Sequence, residues 1–412
     1  MCWRRVHDDR TSLIHIRVYG LLRLLYIYIN GDDGCGALIS PDLINDSIDR
    51  EMRAKVQQMN SGVNRQWRVA RYPNKEEVIS PDHFDWTSEP VPEAGAGEFL
   101  VRTICLATGP AQRGYLEPDH SAFLQTVPIG DVMRGRGVGQ IVASKHPDYK
   151  ESEIFVGSLG WQDYSIQKPR GAEFVLSTKK VTHPIRPLST ELSLLGQAGA
   201  TAYFGLLEVG RVQPGDNVLI SAAAGGVGSA AGQIARIRGA KKVVGITGSD
   251  EKCRWLVDEL GYHAGINYKT QNVSERLQEL FPQGIDVFFD NVGGDILNDA
   301  LDNLALHARV VLCGFIATDY APEPQYGPIN YRRMVYKRAR MEGFIVFDYW
   351  DRYDEAEKDL LSWYREGLLK NTEDIDEGLE MMPQSLASLF TGGNTGVKIC
   401  RVSPDPDVLP GE

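Results

Sequence analysis

The rhythm of hydrophobic and polar positions changes near residue 216. Before it, short β-like runs at 66–70, 98–105, 137–143 and 154–159 are separated by Pro, Gly and Asp. Strands at such intervals, without long helical periods, predict a compact β-rich domain from about residue 67 to 187. Residues 189–207 turn to helical spacing, and 211–216 (RVQPGD) read as a turn. Beyond it the pattern alternates: strand 217–221, helix 229–238, strand 242–247, helix 250–260, strand 285–290, helix 295–305, strand 309–313. Alternating units of this length predict a parallel, doubly wound sheet, so the fold class is α/β with a second, β-rich domain. A strand-like 341–346, a helical 354–367 and a closing run 396–402 follow, the last expected to return to the first domain's sheet.

The chemistry concentrates where the first strand of the alternating part meets its helix. Ala223, Gly225 and Gly228 stand where the three small residues of a dinucleotide fingerprint would stand, with alanine in the first place. Small residues there let the backbone approach a pyrophosphate, whose charge meets the free N–H groups and positive end of the helix beginning near Gly228. A turn packed tightly for steric reasons would use the same residues. The second strand ends in Thr247-Gly248-Ser249 with no carboxylate; Asp250 and Glu251 read as first-turn acids behind an N-cap at Ser249. With Lys252 and Arg254 close by, a 2′-phosphate finds positive charge where NAD finds no partner, which points to NADP(H); lysine and arginine on a solvated helix surface are the plainer alternative. Asn291 lies just past the apolar strand IDVFF, at the sheet edge where ligands settle, although Asn-Val-Gly-Gly also turns without one. Cys313 reads as buried filler, and Gly314 permits close backbone approach.

Composition narrows the classes. The 412 residues are 42% hydrophobic and 24% charged, enough for two cores. A net charge of −11 and a pI near 5.3 argue against nucleic acid. The six cysteines form no C-x-x-C pair, which fits a reducing compartment and a cytoplasmic location without a structural metal lobe. The apolar stretch 13–29 contains His15, Arg17 and Arg23, so it is a poor membrane span and no membrane partner is expected. Residues 1–58 are read as an extension outside the fold, with Met59 the working start; a mitochondrial presequence is the alternative, opposed by Asp8, Asp9, Asp32 and Asp33.

From about Val63 to Val402 the chain resembles the zinc-independent medium-chain dehydrogenase/reductases of the prostaglandin reductase, leukotriene B4 dehydrogenase and double-bond (curcumin) reductase type. The strings that carry this are ATAYFGL (200–206), VQPGDNVLISAAAGGVGS (212–229), GQIAR (232–236), GSDEKCRWL (248–256), INYK (266–269), DNVGG (290–294), LCGFI (312–316) and YKRARMEGFIVFDY (336–349). The resemblance implies a GroES-like catalytic domain at 61–188, a Rossmann NADP-binding domain at 189–349 and a return segment at 350–412 completing the former, behind an extension at 1–60. It implies a homodimer, and NADPH-dependent reduction of the C=C bond of an enone or enal by hydride transfer to the β-carbon.

Residue by residue, the likeness assigns Gly226, Val227, Gly228 and Ser229 to the pyrophosphate turn, beside Gly225 of the fingerprint, and Lys252 and Tyr268 to the 2′-phosphate. Asn291, Cys313, Gly314, Phe315, Ile316, Phe344, Ile345, Val346 and Asn394 match positions that line the ribose and nicotinamide. Zinc-dependent relatives carry Gly-His-Glu where this chain reads MRGRGVG (133–139), so no metal is expected. Three places depart from the family: 109–113 read GPAQR, removing an aromatic wall of the substrate cleft; the tyrosine after LCGFI, Tyr320, is displaced by one; and 394–398 gain a residue. Tyr320 is the first candidate to hold the enolate oxygen, with the nicotinamide ribose 2′-hydroxyl as competitor and a merely packed tyrosine as the third reading. Quinone reduction, a biosynthetic enoyl reduction and a catalytically silent NADP-binding protein are the rival functions.

Overall fold

The structure, a computed structural model, describes residues 3–8, 11–16, 28–29, 62–74, 77–118, 125–169, 178–183, 185–319 and 327–409. The chain divides into two units, 1–61 and 62–412. In the first, β1 (Trp3–Asp8), β2 (Thr11–Ile16) and β3 (Tyr28–Ile29) pair antiparallel in that order. No helix of the described residues is long and apolar enough to cross a membrane.

The second unit holds a β-rich half and a parallel-sheet half. In the β-rich half, β4 (Val63–Val69) and β5 (Phe84–Pro90) form a hairpin. The main sheet is built from β6 (Phe99–Thr108), β7 (Arg136–Ser144), β8 (Ile154–Ser158), β9 (Tyr164–Gln167) and β10 (Lys179–Val181). Its core contains Phe99, Met133, Phe155 and Trp161, all fully buried.

Helix α1 (Gln197–Phe204) leads into a wide turn, Gly205–Val209. The alternating part follows as β11 (Asn217–Ile220), α2 (Gly226–Ile237), β12 (Lys242–Thr247), α3 (Asp250–Asp258), β13 (Ala264–Asn267), α4 (Val273–Leu280), β14 (Ile285–Asp290), α5 (Gly294–Asp302), β15 (Leu304–Leu312), the single turn α6 (Ile316–Asp319), α7 (Arg333–Lys337) and β16 (Arg340–Gly343). The strands pair in parallel in the order β13-β12-β11-β14-β15-β16, the doubly wound arrangement that the alternation predicts. Apolar clusters cover both faces: Ile220, Ala231, Ile234 and Phe289 on one, Leu219, Val244, Leu277 and Phe288 on the other. Fully buried strands of this kind read as continuous apolar runs, as IDVFF does.

After β16 the chain passes α8 (Tyr353–Arg365), whose Ala356 and Leu360 pack on the first of those faces. It then returns through β17 (Glu373–Glu377), α9 (Met382–Phe390) and β18 (Val397–Arg401). β18 pairs antiparallel with β6, so the closing run does rejoin the β-rich sheet.

Several elements differ from the sequence reading. α2 opens at Gly226, three residues before the expected helix, because Gly226 to Gly228 already lie in its first turn. β13 and α4 were absent from the expected series; β13 is a short edge strand with half-exposed Ala264 and Gly265, so its apolar signal is weak. The helix expected at 295–305 ends at Asp302, and β15 starts at Leu304 rather than 309. Leu304 and Ala305 continue the helical spacing of Leu297 and Leu301, and His307 at φ 62° interrupts the extended backbone. The strand expected through Val346 stops at Gly343.

Candidate nucleotide crevice

β11 delivers Val218, Leu219 and Ile220 fully buried to the sheet's carboxyl edge, where the chain must turn sharply. Ala222 takes the left-handed region at φ 47°, and α2 begins at Gly226. The glycines serve distinct needs. A Cβ on Gly228 would stand 2.5 Å from the Ala222 carbonyl oxygen and 2.7 Å from Ala223 Cα, so helix–strand packing alone demands it. A Cβ on Gly226 would meet Val397 Cγ2 at 2.6 Å. On Gly225 it would approach only the Ala222 oxygen, at 3.3 Å. Steric packing therefore accounts for Gly226 and Gly228, and Gly225 keeps an open side. No acid occupies the first turn of α2, whose leading N–H groups have no partner inside the helix. Val227 packs partly buried on the adjoining core.

The turn is closed from behind by the distant tail. Gly225 bridges Gly396, whose N–H donates to the Ala224 carbonyl at 2.8 Å. Ser229 is fully buried, its hydroxyl 2.7 Å from that of Thr372 and 3.1 Å from the Gly226 carbonyl that it donates to. Gln233 exchanges two hydrogen bonds with the Lys370 backbone. Ser229 thus faces the returning segment.

At the end of β12, Ser249 caps α3 by accepting the Lys252 N–H at 3.2 Å. Asp250, in the first turn of α3, accepts from the Asn267 amide at 2.7 Å. Lys252 Nζ donates to the carbonyls of Gly392 at 2.8 Å and Asn394 at 2.6 Å, and desolvation pulls its ammonium below the usual lysine range. Tyr268 lies exposed beside Gly248, and Lys269, which sequence reasoning passed over, lies next to it with Nζ 6.0 Å from the ring centre. The string INYK already carried this lysine beside the tyrosine. Asn394 donates to the Gly396 carbonyl at 2.8 Å, so its contacts are with Lys252 and the glycine turn.

The edge of β14 and β15 is organised by a carboxylate that sequence reasoning left without a role. Asp290 is fully buried and accepts from the Ser221 hydroxyl at 2.8 Å and from the N–H groups of Val292 and Gly293. Burial pushes it above the usual carboxylate range against these bonds. Ser221 in turn accepts the Asn291 N–H through its hydroxyl and the Asn291 amide through its carbonyl, both at 2.8 Å. The Asp290 carbonyl receives the N–H of Cys313 and of Gly314. Asn291, Cys313 and Gly314 are thereby brought together; a Cβ on Gly314 would lie 3.0 Å from the Asn291 oxygen. Burial, with Asp290 nearby, pushes the Cys313 thiol up to about 12, consistent with filler and not a nucleophile. Phe315 is exposed, Ile316 opens α6, and Ala317 N–H donates to Val292. Phe344 packs edge-on to Phe289 and Tyr349, Ile345 is exposed and Val346 buried. Tyr320 lies outside the described residues.

Among the described residues no group of three or more His, Cys, Asp or Glu side chains is placed to hold a metal ion. Where zinc ligands would begin stand buried Met133 and partly buried Arg136; the Arg136 guanidinium lies 5.8 Å from the Trp350 ring centre. A cation there opposes a second one.

Comparison with known proteins places this architecture among relatives. Residues 226–363 match the family described as zinc-binding dehydrogenase, and 65–175 the N-terminal domain of oxidoreductase. The NADPH-dependent curcumin reductase of Escherichia coli (strain K12) is 36% identical over 83% of this chain and 98% of its own length. The 2-alkenal reductase (NADP(+)-dependent) of Nicotiana tabacum is 36% identical over 76% and 89%. The crystal structure of CurA from Vibrio vulnificus in complex with NADPH superposes with a TM-score of 0.76 at 32% identity, covering 83% of this chain and 100% of that one.

Proposed function

Because the chain belongs to the zinc-independent medium-chain dehydrogenase/reductases, in the group of the curcumin, prostaglandin and alkenal reductases, we propose that it reduces the C=C bond of α,β-unsaturated ketones or aldehydes. The chain is an NADP-dependent oxidoreductase. The observation that carries the reading is likeness to the curcumin reductase over nearly the whole of that enzyme.

The residues present fit the cofactor. Gly225 leaves room for a pyrophosphate against the first turn of α2, while Gly226, Val227, Gly228 and Ser229 hold that turn in place. Lys252, with Tyr268 and Lys269, would hold the 2′-phosphate; two carbonyls already gather around the Lys252 ammonium. Asn291, Cys313 to Ile316 and Phe344 to Val346 would border the ribose and ring, with Asn394 on the phosphate side. When bound, NADPH supplies the hydride for the β-carbon. The protein's own task is to orient, exclude water and hold the enolate oxygen that forms on the substrate, for which Tyr320 is our candidate donor. Tyr320→Phe with unchanged turnover removes it.

We assign the homodimer contact to the exposed apolar residues Ile329, Tyr331, Val335 and Tyr336. Light scattering on purified protein tests that. The function itself is tested by following loss of nicotinamide absorbance with NADPH and a panel of enones, enals and quinones. Turnover of enones or enals is expected; turnover of quinones alone replaces the substrate class.

A further inference from the structure

The parallel sheet has a second end. Beside the irregular middle of β15 and the amino end of β16, away from the glycine turn, Arg211, His307, Ala308, Arg309, Arg338 and Arg340 line an open cleft of about 290 Å³. Arg309 and Arg340 are register partners on neighbouring parallel strands, and three residues farther along β15 the chain reaches Leu312, just before the Cys313–Gly314 edge. That separation is about 10 Å along the strand.

Structural need accounts for two of the four arginines. Arg309 donates to the Gly210 carbonyl at 3.0 Å and pairs with Asp216; Arg340 donates to the Val209 carbonyl. Together they meet the carbonyls that end the turn Gly205–Val209, where negative partial charge collects. Arg211 and Arg338 are surplus to that task. Arg211 gives only its Nε, to the Glu208 carbonyl at 3.2 Å, and the Arg338 side chain has no partner among the described residues. Arg340 Nε is buried without a hydrogen-bond acceptor, the Glu342 carboxylate being 4.0 Å away. Of the four guanidinium groups, only Arg309 and Arg340 have a carboxylate within 4.0 Å among the described residues, in a chain whose net charge is −11.

The backbone marks the same place. Arg211, His307 and Arg338 hold left-handed φ values of 47°, 62° and 47°, and among the described residues only Ser152 and Ala222 are other non-glycines that do so. Backbone held in sparsely populated regions collects at ligand sites.

We propose that this cleft is a second binding site, separate from the nucleotide crevice, for a phosphate-bearing anion of diphosphate size. Guanidinium forks match phosphate oxygens two at a time, and here they converge from two strands and two turns. The test is calorimetric titration of sodium pyrophosphate into the full chain saturated with NADPH, at low salt. One site per chain is expected, weakened by about 10-fold or more in the double variant Arg211→Gln, Arg338→Gln. NADPH affinity of that variant should match the parent, since neither side chain belongs to the crevice. ADP and coenzyme A as further titrants sort the source: affinity equal to pyrophosphate supports a bare diphosphate, tighter binding supports a nucleotide carrier. No binding of any of the three, or binding unchanged in the variant, overturns the site. Should NADPH itself fail to bind, the arginine variant still separates this cleft from the glycine turn.

Discussion

The phosphate end and the ring end of the crevice are made differently. At the phosphate end, backbone meets backbone across great sequence distance: Gly225 bridges Gly396, Gly226 leaves room for Val397, and Ser229 faces Thr372. At the ring end, neighbouring strands of one sheet are tied by the buried Asp290 carboxylate, with Ser221 as relay to Asn291. The first arrangement tolerates no added atoms at Gly226 or Gly228. The second tolerates shape but depends on hydrogen bonds, because each N–H left without Asp290 would remain buried and unpaired.

This contrast can be broken most forcefully at Gly228. Gly228→Ala places a Cβ against the Ala222 and Ala223 backbone, costing about 1–3 kcal/mol. Its thermal midpoint and NADPH affinity should fall together; unchanged affinity by fluorescence titration would move the phosphate away from this turn. Next comes Asp290→Ala, which strips three donors of their acceptor and should cost about 1–3 kcal/mol. Here turnover should drop more than the Michaelis constant for NADPH rises, and an unaltered kcat would show that the ring end does not rely on this carboxylate.

Lys252→Ala should raise the Michaelis constant for NADPH by about 10-fold, the worth of one charge-assisted bond, and leave NADH nearly untouched. Equal effects on both would end the 2′-phosphate assignment. A finer effect follows from desolvation of the same ammonium. Its folded value lies below its ordinary 10.5, so it loses its proton earlier as pH rises. The preference for NADPH over NADH should therefore shrink as pH climbs through that lowered value, and stay flat in Lys252→Ala. Smallest of all is Cys313→Ser: a thiol pushed up to about 12 is not ionised at neutral pH, so turnover and resistance to iodoacetamide should hardly change.

Much of this crevice is legible in the sequence alone. The run IDVFF announced a strand buried on both faces, and the small residues after Ser221 announced the sharp turn, because burial and turn geometry write themselves into neighbouring positions. Ser249 as an N-cap was equally local. Lys269 and Asp290 were visible but carried no role, since a lysine in INYK or an aspartate closing a strand has many ordinary uses. The cationic cleft was beyond reach: Arg211, His307 and Arg338 lie in three separate segments and meet only through the sheet.

What the chain's order of residues determined by itself is the succession of strands and helices and the position of the glycine turn, because periodicity and small side chains act within a few residues. Only the tertiary structure decided that a tail about 170 residues later seals that turn, as Gly396 does to Gly225, and that Lys252 rests on carbonyls of the same loop. Contacts of that span leave no period in the sequence; they exist because β18 finds its place beside β6.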